Sequence, residues 1–226
     1  MSSSVKPQSN ERDRCDVWNA FMLKGCKYAG KYEIPVVPAC NTIPERLIPY
    51  SETKSKKLLE SHIHFFESDY EFECVWRTPQ KCLPRIKSYA GAIAPDFSLF
   101  REMPLAEQIH STFRSRALTY WWSKEGINVI PNVGWGDSRT YEFCFDGLPQ
   151  NSVLAVGTNG SVKRKHDRQF FCEGFMVMLE RLTPNTVIVY GPYNEKLFPP
   201  LFMHVYNVQI VAFKSDFIRS RLREVV

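Results

Sequence analysis

Short apolar runs recur along the chain at 34–38, 62–66, 90–95, 127–131, 152–157, 186–191 and 208–213, separated by longer stretches of mixed polarity. Most are rich in Val and Ile, and they are continuous rather than alternating. That is the pattern of parallel strands covered on both faces. Parallel strands need crossovers, and the intervening stretches carry helical periodicity. Pro104 suits a first helical turn, and Leu105, Ile109, Phe113, Ala117 and Trp121 then recur every four residues until Gly126, which predicts a helix over 104–124. A second helix is predicted over 167–181, with Phe171, Phe175, Met178, Leu179 and Leu182 toward the sheet and Pro184 barring continuation. Weaker helical segments occupy 54–60, 69–76, 79–87 and 215–224, and Asp16 can cap a short helix carrying Trp18, Phe21 and Met22 that Gly25 closes.

Strand and helix thus alternate in an α/β chain built on a parallel sheet. Two architectures satisfy that pattern, a doubly wound open sheet and a (β/α) barrel. The seven runs, with 141–145 as a short eighth element, favour a compact or incomplete barrel. Residues 1–14, rich in Ser, Asn and charge, read as a flexible tail, and 15–226 as a single α/β domain.

Composition narrows the class without naming a reaction. At 226 residues, 44% hydrophobic and 14% aromatic, the chain can bury a large core. The net charge, 29 − 24 = +5, permits a phosphorylated partner without requiring one. The densest basic cluster, Lys163, Arg164, Lys165, His166 and Arg168, follows a glycine turn, where it is either a phosphate contact or a solvated helix start. Seven cysteines occur with no Cys-x-x-Cys pair, so no zinc knuckle or thioredoxin motif is written here, and the odd count argues against a secreted disulfide framework. The first dozen residues hold no apolar leader segment, and no run of about 18 apolar residues occurs. The expectation is a reduced, cytoplasmic protein that does not enter the membrane.

In either architecture ligands collect where strands end, so the residues after each run are the candidates. Asp96 follows the 90–95 run and either serves as base, nucleophile or metal ligand or caps the turn at Phe97 and Ser98. Asp137 with Arg139 is the second candidate, either reactive or a local ion pair, with Trp135 offering a stacking surface beside it. Asn132, Thr158, Asn159, Gly160 and Lys163 complete the set as substrate-binding positions, Thr158 to Gly160 in the small-residue turn 157–161 whose amides can cradle an anion and Lys163 adding charge beyond it. Asp96 and Asp137 in one cleft would repel, raising the pKa of one or recruiting a divalent cation such as Mg²⁺. His62 and His64 alternate on one strand and share a face, which allows a metal pair only if Asp69 or Asp96 joins them. Cys144, between Phe143 and Phe145, reads as an inert buried thiol. No Gly-x-Gly-x-x-Gly follows the first run, and no phosphate-loop Gly-Lys-Ser/Thr, Gly-x-Ser-x-Gly or His-Glu-x-x-His is present.

Several stretches carry a resemblance: Ile93-Ala-Pro-Asp-Phe-Ser-Leu-Phe-Arg-Glu-Met-Pro104, Arg116-Ala-Leu, Val129-Ile-Pro-Asn-Val-Gly-Trp-Gly-Asp137, Arg139-Thr-Tyr-Glu-Phe-Cys-Phe-Asp-Gly147 and Val156-Gly-Thr-Asn-Gly160. Together they resemble the domain-of-unknown-function family numbered 4417, which is seen in bacteria, phages and mobile elements. Asn159 stands where that family leads one to expect histidine, which takes acid–base chemistry away from this turn. The resemblance implies a phage or mobile-element setting and no particular reaction. Two function classes follow: an enzyme acting on a nucleotide or nucleic acid with Asp96, Asp137 and Arg139 at its centre, or a non-catalytic protein that binds a host or defence protein. The apolar stretch 197–206 would serve the second if it were exposed.

Overall fold

The computed structural model describes residues 18–215, so the 1–14 tail, Asp16 and most of the 215–224 segment lie outside the described residues. The described chain opens with a 3-10 turn at Ala20–Leu23 and an antiparallel hairpin of β1 (Tyr28–Ala29) and β2 (Ile34–Pro35). There follow β3 (Leu47–Pro49), β4 (His62–His64), α1 (Asp69–Phe72), α2 (Cys74–Arg77), α3 (Pro79–Lys87), β5 (Gly91–Ile93), α4 (Leu105–Lys124) and β6 (Val129–Ile130). The second half holds β7 (Val153–Gly157), α5 (Lys165–Leu182), β8 (Thr186–Tyr190), α6 (Pro200–Val205) and β9 (Gln209–Phe213).

Strands β3 to β6 form one parallel sheet in chain order, and β7 to β9 form another. A bridge between Asn132 and Ala155 joins them: Val133 N donates to Ala155 O at 2.8 Å and Ala155 N to Pro131 O at 2.9 Å. Seven parallel strands therefore follow one another in space as they do in sequence. A doubly wound sheet reverses direction at a switch point, and this order does not. Residues from both halves meet on the inner face: Leu47, Phe66, Ile93, Ile130, Ala155, Ile188 and Tyr190 share one apolar cluster, with Phe213 packed against it. The rings of Phe66 and Tyr190, from opposite halves, stack at 5.1 Å. Among the described residues β3 and β9 are not paired with each other, so the sheet curls as an incomplete barrel.

Side-chain alternation sorts each strand. On β4 and just beyond it, Ile63 and Phe65 join the outer core beneath the helices, while Phe66 turns inward. Val187 and Val189 of β8 pack outward with Phe175 and Met178 of α5, and Ile188 inward. Both faces of β3 to β8 are dry, which explains why their runs read as continuous, whereas β9 at the edge is half-exposed; each fully buried Val or Ile contributes roughly 1.5–3 kcal/mol.

Three expectations are corrected. The 34–38 run is a hairpin strand outside the parallel sheet: Pro35 and Pro38 lack the N–H a central strand needs, and Val37 N donates instead to Gly147 O at 2.9 Å. Its place is taken by β3, only three residues long. The 54–60 segment is not a helix, because the 3-10 turn at Tyr50–Lys54 ends where Tyr89 Oη caps the Thr53 and Lys56 carbonyls at 3.2 and 2.8 Å. The 141–145 segment is not a strand, since Phe143 N and Cys144 N both fold back onto Thr140 O at 3.0 and 2.8 Å.

Helix α4 also differs from its apolar stripe. Leu105, Ile109 and Phe113 are only half-buried, while Gln108, Thr112, Ser115, Arg116 and Thr119 are buried. Thr112 and Thr119 donate to carbonyls of their own helix, whereas Gln108, Ser115 and Arg116 donate to carbonyls of neighbouring loops, and that connection builds the site.

Candidate functional site

A cleft of about 690 Å³ opens at the carboxyl ends of β4 to β7. Its walls come from the loop after each strand: Phe66 and Ser68 after β4, Asp96 to Glu102 after β5, Val133 to Gly136 after β6, and Gly157 with Asn159 to Ser161 after β7. Such a volume is that of a small-molecule site.

Asp96 stands on the wall of this cleft. Its Oδ1 accepts a hydrogen bond from Asn132 Nδ2 at 2.7 Å. The alternative reading, a cap on Ser98, does not describe this residue, because Ser98 N and Oγ both donate to Asp69, the latter at 2.8 Å. Asp69 thereby ties the loop after β4 to the loop after β5. Burial pushes the Asp96 carboxyl up to about 6; the Asn132 bond opposes that rise, and the charge of Asp69 adds to it. Space for the carboxylate depends on Gly157, where a side-chain carbon would lie 2.7 Å from the Phe66 ring and 3.3 Å from Asp96 Oδ2.

Asn132 is held in turn. Arg116, 3% exposed, donates from Nη1 to Asn132 O at 2.9 Å and from Nη2 to Cys144 O at 2.9 Å. Burial pushes its guanidinium down to about 10, so it keeps its charge at neutral pH. Helix α4 thus reaches Asp96 through Arg116 and the Asn132 backbone, while Ser115 Oγ donates to Pro95 O at 2.7 Å and anchors the residue before Asp96.

Asp137 has a different setting and does not line the cleft with Asp96. Its carboxylate caps the 3-10 turn at Ser138–Glu142 by accepting from Arg139 N at 3.0 Å, and accepts again from Arg139 Nε and Nη2 at 3.0 and 2.9 Å. This ion pair holds the Asp137 carboxyl below its ordinary range. Arg139 also donates to Arg101 O at 2.9 Å, bracing the cleft rim from outside. The paired-carboxylate arrangement expected from Asp96 and Asp137 is therefore replaced by Asp96 beside Asp69.

Trp135 lines the cleft with part of its ring; its indole N–H donates to Phe170 O at 3.3 Å and its ring packs on Phe171 at 5.3 Å. It can approach α5 because residue 174 is glycine, whose added side-chain carbon would come within 2.2 Å of the indole. Asn159 and Gly160 line the cleft, whereas Thr158 is buried and donates its hydroxyl to Pro192 O at 2.9 Å. Asn132 is buried behind Asp96, and Lys163 is exposed outside the cleft lining. Of the basic cluster, Arg164 reaches the cleft, joined by Arg101, which pairs with Asp167 at 2.6 Å and lies 4.4 Å over the Phe170 ring.

The histidine pair forms no metal site with the carboxylates. His64 packs against Tyr190 at 4.2 Å and accepts from Phe66 N at 3.3 Å, while burial lowers the His62 pKa. No group of three or more His, Cys, Asp or Glu side chains is gathered for a metal among the described residues. Cys144 is fully buried, and burial pushes its thiol up to about 12, as an inert thiol requires. Arg116 and Asp69 are the residues that sequence reasoning left without a role at Asp96; the Arg116-Ala-Leu stretch carried the available signal for the first.

No helix among the described residues is long and apolar enough to cross a membrane. No solved structure matches the chain. The gene 1 protein of Mycobacterium phage D29 is 34% identical over 186 residues, covering 81% of this chain and 68% of the relative. The gene 1 protein of Mycobacterium phage L5 is 33% identical over 186 residues, covering 81% of this chain and 80% of the relative. A family model described as a domain of unknown function, DUF4417, matches residues 26–213, and the chain, with its phage relatives and its curled parallel sheet, belongs to that family.

Proposed function

We propose that the strand-end cleft is the active site of an enzyme that binds a nucleotide, with Asp96 as its acid–base group. The observation that carries this reading is the Asp96 carboxyl itself, desolvated on the wall of an open cleft and raised to about 6, near the pH at which a general acid or base works best. The surroundings support a ligand with a flat ring and a charge. Phe66, Phe97, Phe100 and Trp135 offer apolar and stacking surface, and Arg101 and Arg164 bring positive charge to the rim. Asn159 to Ser161 lie just before the amino end of α5, where backbone amides favour a phosphate. The enclosed volume suits a mononucleotide better than a nucleic-acid strand. A divalent cation, if the reaction uses one, would arrive on the nucleotide's phosphates and meet Asp96.

A thermal-shift series with mononucleotides, oligonucleotides and Mg²⁺ tests the reading, because a ligand at a hundred times its Kd stabilises by about 2.7 kcal/mol. The expected result is a rise in Tm with a mononucleotide that Arg164→Ala weakens. No shift with any nucleotide, with or without Mg²⁺, would remove the reading.

A second reading has its own observation. In the 197–206 stretch Leu197 and Phe198 are core, but Leu201 and Val205 of α6 are 67% and 66% exposed, with Tyr193 exposed nearby. This supports a protein-binding surface for a host or defence protein. The double substitution Leu201→Asp with Val205→Asp should leave the fold intact and abolish association in light scattering; unchanged association would discard this surface.

A further inference from the structure

A second cavity lies where the 3-10 turn at Tyr50–Lys54 meets α2 and α3, and no residue lining it also lines the strand-end cleft. It measures about 270 Å³, and its lining includes Tyr50, Lys54, Cys74, Lys81, Cys82 and Arg85. Two thiols meet there. Cys74 Sγ lies 3.3 Å from Tyr50 Oη, and Cys82 Sγ points at Cys74 O from 3.4 Å. A straight helix would hold residues eight apart at about 12 Å. Here Thr78, with φ −138° and ψ 58°, separates α2 from α3 and turns the chain, Cys82 Sγ reaches the Cys74 carbonyl, and both cysteines line the one cavity. Cys74 is exposed and Cys82 buried. Arg85 Nη1 donates to Tyr50 Oη at 3.3 Å, which holds a positive charge against the cavity.

We infer that Cys74 and Cys82 are a redox-active dithiol that closes to a disulfide by exchange with a low-molecular-weight disulfide of the glutathione class. Exposure sets the order. The Cys74 thiolate attacks one sulfur of the oxidant, a new S–S bond forms, the oxidant's own S–S bond breaks, and one thiolate leaves. Cys82 then gives its proton to solvent and attacks the Cys74 sulfur, expelling the second thiolate. The two released thiolates take up the two protons lost by the protein, so one dithiol is oxidised and one small disulfide is reduced to two thiols. Lys54, Lys81 and Arg85 outnumber the single acid of the lining, Glu71, so the cavity is electropositive and draws an oxidant bearing carboxylates. The product staples α2 to α3 beside Tyr50, a region independent of Asp96.

The test equilibrates the folded protein with mixtures of reduced and oxidised glutathione, quenches with acid and an alkylating agent, and maps peptides by mass. The expected result is a Cys74–Cys82 linked peptide pair that forms before any other disulfide and is lost on adding dithiothreitol. Cys82→Ser should trap glutathione on Cys74, and Cys74→Ser should abolish the linked pair. The rate should fall several-fold with added salt for oxidised glutathione and stay level for uncharged hydroxyethyl disulfide. A wild-type protein that accumulates glutathione on Cys74 without closing, or whose Cys26 or Cys172 reacts while Cys74 does not, would overturn the inference. Equal salt dependence for the two oxidants would overturn the part given to the three cations.

Discussion

Asp96 and Asp137 follow neighbouring strands, β5 and β6, and both lie in short polar loops at the same end of the sheet, yet their surroundings drive them in opposite directions. Asp96, half-buried on the cleft wall, gains one side-chain amide and no cation as partner, and burial raises its carboxyl to about 6. Asp137 gains a guanidinium and a backbone amide, stays near solvent, and its carboxyl falls. The difference is one of partners. A carboxylate paired with a cation two residues away is a cap; a carboxylate packed into a cleft wall with only an amide for partner is held near the pH at which it exchanges a proton. The cap keeps the rim in shape, since Arg139 also holds the Arg101 carbonyl. The cleft therefore has one loop that holds the raised carboxyl and one that braces the rim.

The largest expected effect breaks the support behind Asp96. Arg116→Met removes both bonds to the Asn132 and Cys144 carbonyls and leaves them buried without donors. Urea denaturation should show a loss of about 3–5 kcal/mol. A loss near zero would mean that the loops hold Asn132 without help from α4.

Asp96→Asn sharpens the comparison from the other side. The folded carboxyl is raised, so between about pH 4 and pH 6 the folded protein binds more protons than the unfolded chain, and stability falls as pH rises through that window. Asparagine keeps the acceptor for Asn132 and carries no charge to desolvate. The variant should be more stable than the parent at pH 7 by about 1–3 kcal/mol, with the gain gone at pH 4. Stabilisation on removing a charge is what a site held at a cost to stability should give. Equal stabilities at both pH values would remove the raised carboxyl from the account.

Asp137→Ala should have the smallest effect of the three. It removes a cap and an ion pair whose arginine is exposed, worth about 1 kcal/mol in urea denaturation. Here the sign of the pH dependence reverses. The parent's Asp137 contributes stability above the unfolded carboxylate pKa and loses it as pH falls through the depressed folded value, so parent and variant should converge in acid. Nucleotide binding should persist in this variant; its loss would move Asp137 from the brace to the chemistry.

How far this arrangement could be read in the sequence follows from what each feature depends on. The strands β7 and β8 announced themselves because each is five residues long with both faces dry, whereas β3 is three residues that end in Pro49, soon after Pro44, and offers no pattern to count. The location of the cleft was legible because parallel strands present their carboxyl ends together. The partners were not. Whether Asp96 or Asp69 bonds Ser98 depends on a contact across 29 residues, which no local spacing encodes. Arg116 breaks the apolar stripe of its helix, so a template that counts apolar positions passes over the residue that secures the site. Asp137 and Arg139 had both readings open, and the geometry that favours the ion pair is a matter of rotamers and a backbone amide.

The most direct measurement is an NMR pH titration of the aspartate side-chain carboxyl carbons, with Asp96→Asn and Asp137→Ala identifying the two signals. The account expects Asp96 to titrate at about 6 and Asp137 below the ordinary aspartate range. An Asp96 signal that titrates with the ordinary surface aspartates, near about pH 4, would contradict it.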